Sequence, residues 1–143
     1  MKEYNIFSCA TPNFFPFVNS VACSLKKYKK ENCKYVYHIF LTTENVEEYK
    51  NKLNHLISDD FEIKIKSTKG YGEKIISPNQ NLHWSTYFRC FVCSLFPNLD
   101  KILYLDVDLV IINKGLEDFM DVDLTNYYGA AILDIVQMYK NKN

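Results

Sequence analysis

Residues 101–111 read KILYLDVDLVI, and the fold turns on how that run is taken. Ile102 to Leu105 are apolar, and they lead into Asp106, with Asp108 two positions further on. Side chains at i and i+2 of an extended segment point the same way. Asp106 and Asp108 therefore project together from the C-terminal end of an apolar strand. Open α/β sheets bind ligands at that end, and a rigid strand fixes carboxylates as a metal site requires. Acidic residues at a strand end are also common turn formers, so the pair alone leaves both readings open. The letters DVDL return at 121–124, within GLEDFMDVDL. No apolar strand precedes that copy. The sequence there predicts a short helix running into a turn, with Asp118, Asp121 and Asp123 facing solvent or capping. The first copy is the candidate metal site and the second is surface.

Outward from this run, the chain alternates strand and helix signals. YNIFSCA (4–10) reads as a strand. After Pro16 a helix is marked by Val18, Val21, Ala22, Leu25 and Tyr28, with lysines at the end its dipole favours. YVYHIFL (35–41) is continuously apolar, as a strand covered on both faces should be. Thr42 and Thr43 offer an N-cap to a second amphipathic helix carrying Val46, Tyr49, Leu53 and Leu56. FEIKIK (61–66) alternates strictly and predicts an edge strand with one wet face. A polar loop spans about 67–83, and a helix runs from about Ser85 to near Pro97. KILYLD is predicted to be a fully apolar strand, and YGAAIL (128–133) a further one. Such alternation predicts one α/β domain over 1–143, with a mostly parallel sheet and right-handed crossovers.

The totals narrow the function classes. Of the 143 residues, 48% are hydrophobic and 15% aromatic, which is globular material and not a disordered tail. Seventeen basic residues balance 17 acidic ones, so no electrostatic case exists for nucleic acid. KKYKK at 26–30 reads as a solvated helix end. No apolar run approaches the ~20 residues that span a bilayer, and the N-terminus lacks the apolar stretch of a signal peptide. Five cysteines without framework spacing point to a reduced, cytoplasmic setting, peripheral to a membrane at most. Cys90 and Cys93 form a CxxC but lack its redox context, and are read as two small apolar residues on one helix face.

STYFRCFVCSLFPNLDKILYLDVDLVI (85–111), followed by LEDFMDVDLTNYYGAAILD (116–134), resembles the core signature of glycosyltransferase family 8. Tyr87, Arg89, Tyr104, Leu105, Asp106, Asp108, Gly129, Ala130 and Asp134 match the family pattern in order and spacing. FSCATPNFFPFVNSVACSL (7–25) resembles the family's first strand and helix. The resemblance implies an A-type nucleotide-sugar-binding fold, Rossmann-like, here incomplete at its C-terminus. It also implies a UDP-hexose donor, transfer with retention, and a glycan or lipid-linked saccharide acceptor, in lipopolysaccharide or polysaccharide synthesis.

Asp106 and Asp108 would then hold Mn²⁺ or Mg²⁺, for which hard oxygen ligands are suited. Arg89 is the only arginine in the chain, and its planar fork suits phosphate or sugar hydroxyls; the matching family residue contacts the donor. Cys9 (through its backbone), Ala10, Thr11, Asn13 and Val107 complete the implied nucleotide-sugar site. Asp134 falls on the donor-sugar or acceptor side. Pro12 departs from the family's polar residue, and Phe14 or Phe15 could stack on the base or pack in the core. The family's third metal ligand, a histidine in a His-x-x-Gly-x-x-Lys-Pro motif, has no counterpart. His38 lies in a buried strand, His55 on a polar helix stretch and His83 in a loop, and none is a convincing substitute. Members of the family continue well past Asp134, so the chain is expected to be a donor-binding half that could associate through an exposed sheet edge. Two other readings remain: an inactive nucleotide-binding fragment, and a phosphatase of the haloacid dehalogenase type with Asp106 as nucleophile. The second fits poorly, because that motif belongs on a first strand.

Overall fold

The computed structural model describes residues 1–71 and 83–132. Its elements are β1 (Lys2–Ala10), α1 (Phe15–Tyr28), β2 (Cys33–Leu41), α2 (Val46–Leu53), β3 (Phe61–Ser67), α3 (Val92–Leu95), β4 (Leu103–Tyr104) and α4 (Leu116–Met120). The sheet order is β3-β2-β1-β4, and every neighbouring pair is parallel. The sequence-based expectation of a parallel α/β sheet thus holds, with β3 at the edge.

Alternation along the central strands builds two cores. Tyr4, Ile6 and Ala10 of β1, with Tyr35, Tyr37, Ile39 and Leu41 of β2, pack against Phe15, Val18, Val21, Ala22 and Leu25 of α1. Phe7, Cys9 and Phe40 point the other way, against Phe88 and the half-buried Trp84, Val92, Leu95 and Phe96. Covering both faces is why β2 is apolar from Tyr35 to Leu41 except at His38. Each large side chain so buried contributes about 1.5–3 kcal/mol of transfer free energy. The edge strand β3 carries exposed Lys64 and Lys66, which discourage strand addition from outside. Lys34 lies 2.9 Å from Glu62 and 3.4 Å from Glu3, joining the three neighbouring strands by charge.

Several expectations are corrected. The helix expected from Ser85 is a 3-10 helix over Trp84–Phe91 that becomes α-helical only at Val92–Leu95. The three-residue repeat of the 3-10 helix turns Ser85 and Phe88 inward; Cys90 on it and Cys93 on α3 are exposed. Both cysteines face solvent and take no part in the core beneath the helix. Neither Thr42 nor Thr43 caps α2; Asn45 holds that position without a side-chain cap, while Thr43 Oγ1 accepts from the Asn45 amide at 3.3 Å.

The strand expected over 101–106 is only Leu103–Tyr104, because β1 pairs with it at Ile6 and Phe7 alone. It is also half-buried and not enclosed. Beyond it lies no further strand among the described residues, but a cavity of about 810 Å³ lined by Leu103, Leu105, Leu116, Phe119 and Met120. The part of YGAAIL within the described residues, 128–132, forms no strand and is exposed. An extended run needs a ladder partner to be stable, and 128–132 pairs with no strand of the described sheet.

Candidate functional site

The site is assembled where β1 and β4 end side by side, at the point where the strand order reverses. Such a crevice is where open α/β sheets accept ligands. A buried relay fixes the β4 side. Tyr37 donates to Ser8 Oγ at 2.9 Å, and Ser8 Oγ donates to the Leu105 carbonyl at 2.7 Å. The Leu105 amide reaches back to the Phe7 carbonyl at 2.9 Å. Both backbone groups of the residue before Asp106 are thereby held.

From Asp106 the chain stays alternating. Val107, Leu109 and Ile111 pack on the core, while Asp106, Asp108, Val110 and Ile112 are exposed. Both carboxylates are exposed, but the backbone turns at Val107 and Asp108 and is not extended there, so the i, i+2 rule of a strand does not carry over. The Ile111 amide donates to buried Ser24 Oγ at 3.1 Å, which ties this segment to α1.

Asp106 is engaged. Arg89 Nη2 donates to its Oδ1 at 2.9 Å and the Tyr104 hydroxyl donates to the same oxygen at 2.7 Å. Arg89 Nε donates to the Thr86 carbonyl at 2.9 Å, and its guanidinium carbon lies 4.3 Å from the Tyr104 ring centroid. Burial and then the neighbouring Asp106 carboxylate push the Tyr104 phenol well above its ordinary value, so it stays a donor. Burial likewise pushes the Cys9 thiol up to about 12, against a weaker pull from Arg89. A protonated, buried thiol is no nucleophile.

On the β1 side, Ala10 is buried and Thr11 half-buried, and Thr11 precedes the 3-10 turn Pro12–Phe14. The Phe14 amide bonds the Thr11 carbonyl at 3.0 Å, and Asn13 is exposed. Phe15 is buried and packs edge-on against Tyr49 at 4.6 Å. Of the two phenylalanines, only Phe14 is on the surface, beside Phe17 at 5.7 Å. Cys9 and Ala10 on β1, and Asp106 to Asp108 after β4, thus follow two neighbouring strands, whereas Asp134 lies outside the described residues.

The histidines stand apart from the carboxylates. His38 is buried and meets Asn5 Oδ1 at 2.8 Å. His83 Nδ1 accepts from the Ser85 amide at 3.2 Å and caps the 3-10 helix, and His55 is exposed beyond α2. Among the described residues no three His, Cys, Asp or Glu side chains are arranged to hold a metal.

In the second DVDL, Asp121 pairs with Lys2 at 2.6 Å and accepts from the Tyr4 hydroxyl at 3.0 Å. Asp123 accepts from the Thr125 amide at 2.9 Å. One acidic residue escaped sequence reading. Glu117, next to that copy, is buried, and its Oε1 accepts from the Tyr35 hydroxyl at 2.6 Å and the Lys30 amide at 2.7 Å. Burial raises its pKa, but these two donors and nearby Lys30 outweigh it, so the carboxyl sits below its ordinary value.

The parallel sheet, with two exposed carboxylates just past its edge strand β4, has the architecture of the A-type glycosyltransferase fold. The chain belongs to glycosyl transferase family 8, whose sequence profile matches residues 5–143. It is 36% identical over 58 residues to a putative glycosyltransferase of Haemophilus influenzae, covering 41% of this chain and 17% of that protein. Its fold superposes on the apo structure of the bifunctional glycosyltransferase WbbM with a TM-score of 0.79 and 23% identity, covering 94% of this chain and 24% of that one. A galactosyltransferase, LgtC, solved with donor and acceptor sugar analogues, gives a TM-score of 0.61 at 18% identity, covering 84% of this chain and 43% of that one. The chain therefore spans less than half of each of these proteins.

Proposed function

We propose that this chain is the donor-binding part of a retaining glycosyltransferase that moves a hexose from a UDP-sugar to a saccharide or glycan acceptor. The observation that carries the reading is that Asp106 and Asp108, both exposed, lie just past the end of β4, the strand paired with β1. Both are exposed carboxylates with hard oxygen donors, and the hydrogen bonds to Asp106 fall on Oδ1. They suit Mn²⁺ or Mg²⁺ as a partial ligand set, with diphosphate oxygens and water to complete it. Such an ion supplies Lewis-acid neutralisation of the departing diphosphate.

The chain's own groups have separate tasks in this reading. Thr11, Asn13 and the backbone of Cys9 and Ala10 receive the nucleoside, and exposed Phe14 offers a ring to the base. Arg89 and Tyr104 orient the Asp106 carboxylate. No side chain is assigned to the bond-breaking step. The acceptor is a glycan or lipid-linked saccharide of envelope polysaccharide synthesis. No described helix is long and apolar enough to cross a membrane, and we place the protein in the cytoplasm, at a membrane surface at most.

A second reading, a nucleotide-binding fragment without turnover, is favoured by one observation: no third metal ligand is arranged among the described residues. Calorimetric titration of UDP with Mn²⁺ and with EDTA tests the main reading, on the wild type, Asp108→Asn and Asp123→Asn. Binding that needs Mn²⁺, fails in Asp108→Asn and survives in Asp123→Asn is the expected result. Metal-independent binding, or binding lost equally in both variants, overturns it. Release of sugar from a UDP-hexose by the same protein separates an enzyme from a binding fragment.

A further inference from the structure

The Asp106 carboxylate is loaded on one side. Two donors, Arg89 Nη2 at 2.9 Å and the Tyr104 hydroxyl at 2.7 Å, share Oδ1, and no hydrogen bond among the described residues goes to Oδ2. Arg89 is not a swinging side chain. Its Nε is spent on the Thr86 carbonyl, and its plane lies over the Tyr104 ring. Thr86 and Arg89 sit on the 3-10 helix, and Tyr104 is the last residue of β4. A fixed positive charge therefore stands against the carboxylate, held by three contacts that do not depend on a ligand.

We propose that Arg89 is a resident counter-ion that leaves only Oδ2 of Asp106 for a cation, weakening a bare divalent ion and favouring one that arrives with a diphosphate. This rests on the metal reading given above. A cation reaching Oδ2 and Asp108 lies within a few ångströms of the guanidinium, and like charges at that distance repel even when partly screened. Negative oxygens brought in on the same ion reverse the sign, because the guanidinium fork donates to them. The pair thus makes metal binding selective for the metal–nucleotide complex over the free ion. Specificity of this kind comes from a built-in repulsion against the wrong ligand as much as from attraction to the right one. The partial exposure of both side chains, 39% and 52%, lets solvent moderate the effect without removing it.

The test is Mn²⁺ alone, followed by loss of the free-ion electron paramagnetic resonance signal in low-salt buffer, on wild type, Arg89→Gln, Arg89→Lys and Asp108→Asn. Circular dichroism establishes that each variant is folded. Arg89→Gln is expected to bind bare Mn²⁺ about three- to tenfold more tightly than the wild type, the order expected of screened like charges. Arg89→Lys, which keeps the charge, should stay near the wild type. With UDP present, Arg89→Gln should lose that advantage or fall below the wild type. Unchanged or weaker Mn²⁺ binding in folded Arg89→Gln, where Asp108→Asn abolishes binding to the wild type, overturns the counter-ion role and leaves the metal site standing. If neither the wild type nor Arg89→Gln binds Mn²⁺, or Asp108→Asn binds as well as its parent, the metal reading itself fails.

Discussion

Ser8 Oγ donates a 2.7 Å hydrogen bond to the carbonyl of Leu105, 97 positions later in the chain. Both residues are buried, and Tyr37 closes the relay from β2. This contact holds the Leu105 carbonyl just past β4, next to Asp106. Ser8→Ala would leave both the Tyr37 hydroxyl and the Leu105 carbonyl without their partner in the interior. The expected loss is about 1–3 kcal/mol of stability. Tyr37→Phe removes only the first member and should cost less, about 1 kcal/mol. Because the residues form one network, the double variant should cost less than the sum. Denaturant titration of all three measures it.

Glu117 is the second anchor, joining α4 to the start of β2 through Tyr35 and to the end of α1 through the Lys30 amide. Glu117→Ala should destabilise the fold by about 2–3 kcal/mol, since charge-assisted bonds are lost and a buried phenol is orphaned. Glu117→Gln keeps an oxygen for both donors and should cost clearly less. Thermal melts of the two variants rank them, and equal losses would contradict this account.

His38 makes stability depend on pH. Burial, helped by the nearby ammonium groups of Lys64 and Lys66, lowers its pKa to about 4. The unfolded chain therefore binds a proton between about 6.5 and 4 that the folded chain does not. Stability from this group is complete above about 6.5 and declines as pH falls toward 4. The decline should be roughly 2 kcal/mol once solvent screening is allowed for. His38→Gln should flatten this part of the stability–pH curve, as measured by urea midpoints at pH 7 and pH 5.

The cysteines divide by burial. Cys23, Cys90 and Cys93 are exposed, and Cys9 and Cys33 are buried. A thiol reagent on the native protein should label the first three quickly, and the other two only after unfolding. Burial raises the pKa of both Cys9 and Cys33, which slows them further because the thiolate is the reactive form. Mass mapping of labelled peptides reads the outcome.

These residues also mark how far the sequence could be read. The strands of the sheet interior were legible because burial on both faces leaves a largely apolar run, as at 35–41. The edge strand was legible because one wet face imposes alternation, as in FEIKIK. That Asp106 and Asp108 lie just past an apolar strand was legible from the sequence, but the turn at 107–108 was not. What escaped depends on partners far away in sequence. Ser8 in an apolar strand carries no local sign that its hydroxyl meets Leu105. Glu117 in LEDFM looks like a helix-surface residue, since Tyr35 is 82 positions away. KILYLD and YGAAIL were read as full strands because an apolar run declares its preference and not the presence of a neighbour to pair with. The 3-10 winding of Trp84–Phe91 was not legible either, because an apolar spacing does not tell a three-residue turn from a longer one.

The distance in sequence between β1 and β4 also has a bearing on time. β1, β2 and β3 join neighbours within the first 67 residues, in register from Lys2 with Cys33 to Leu41 with Ser67. Ile6 meets Leu103 only after almost the whole described chain has been drawn together. Closing a long loop costs entropy before its contacts repay it, and such pairings form late. On the ribosome the first three strands and their two helices can gather before Asp106 has been synthesised. The carboxylate pair is then the last part of the described crevice to arrive, added to a scaffold that is already standing.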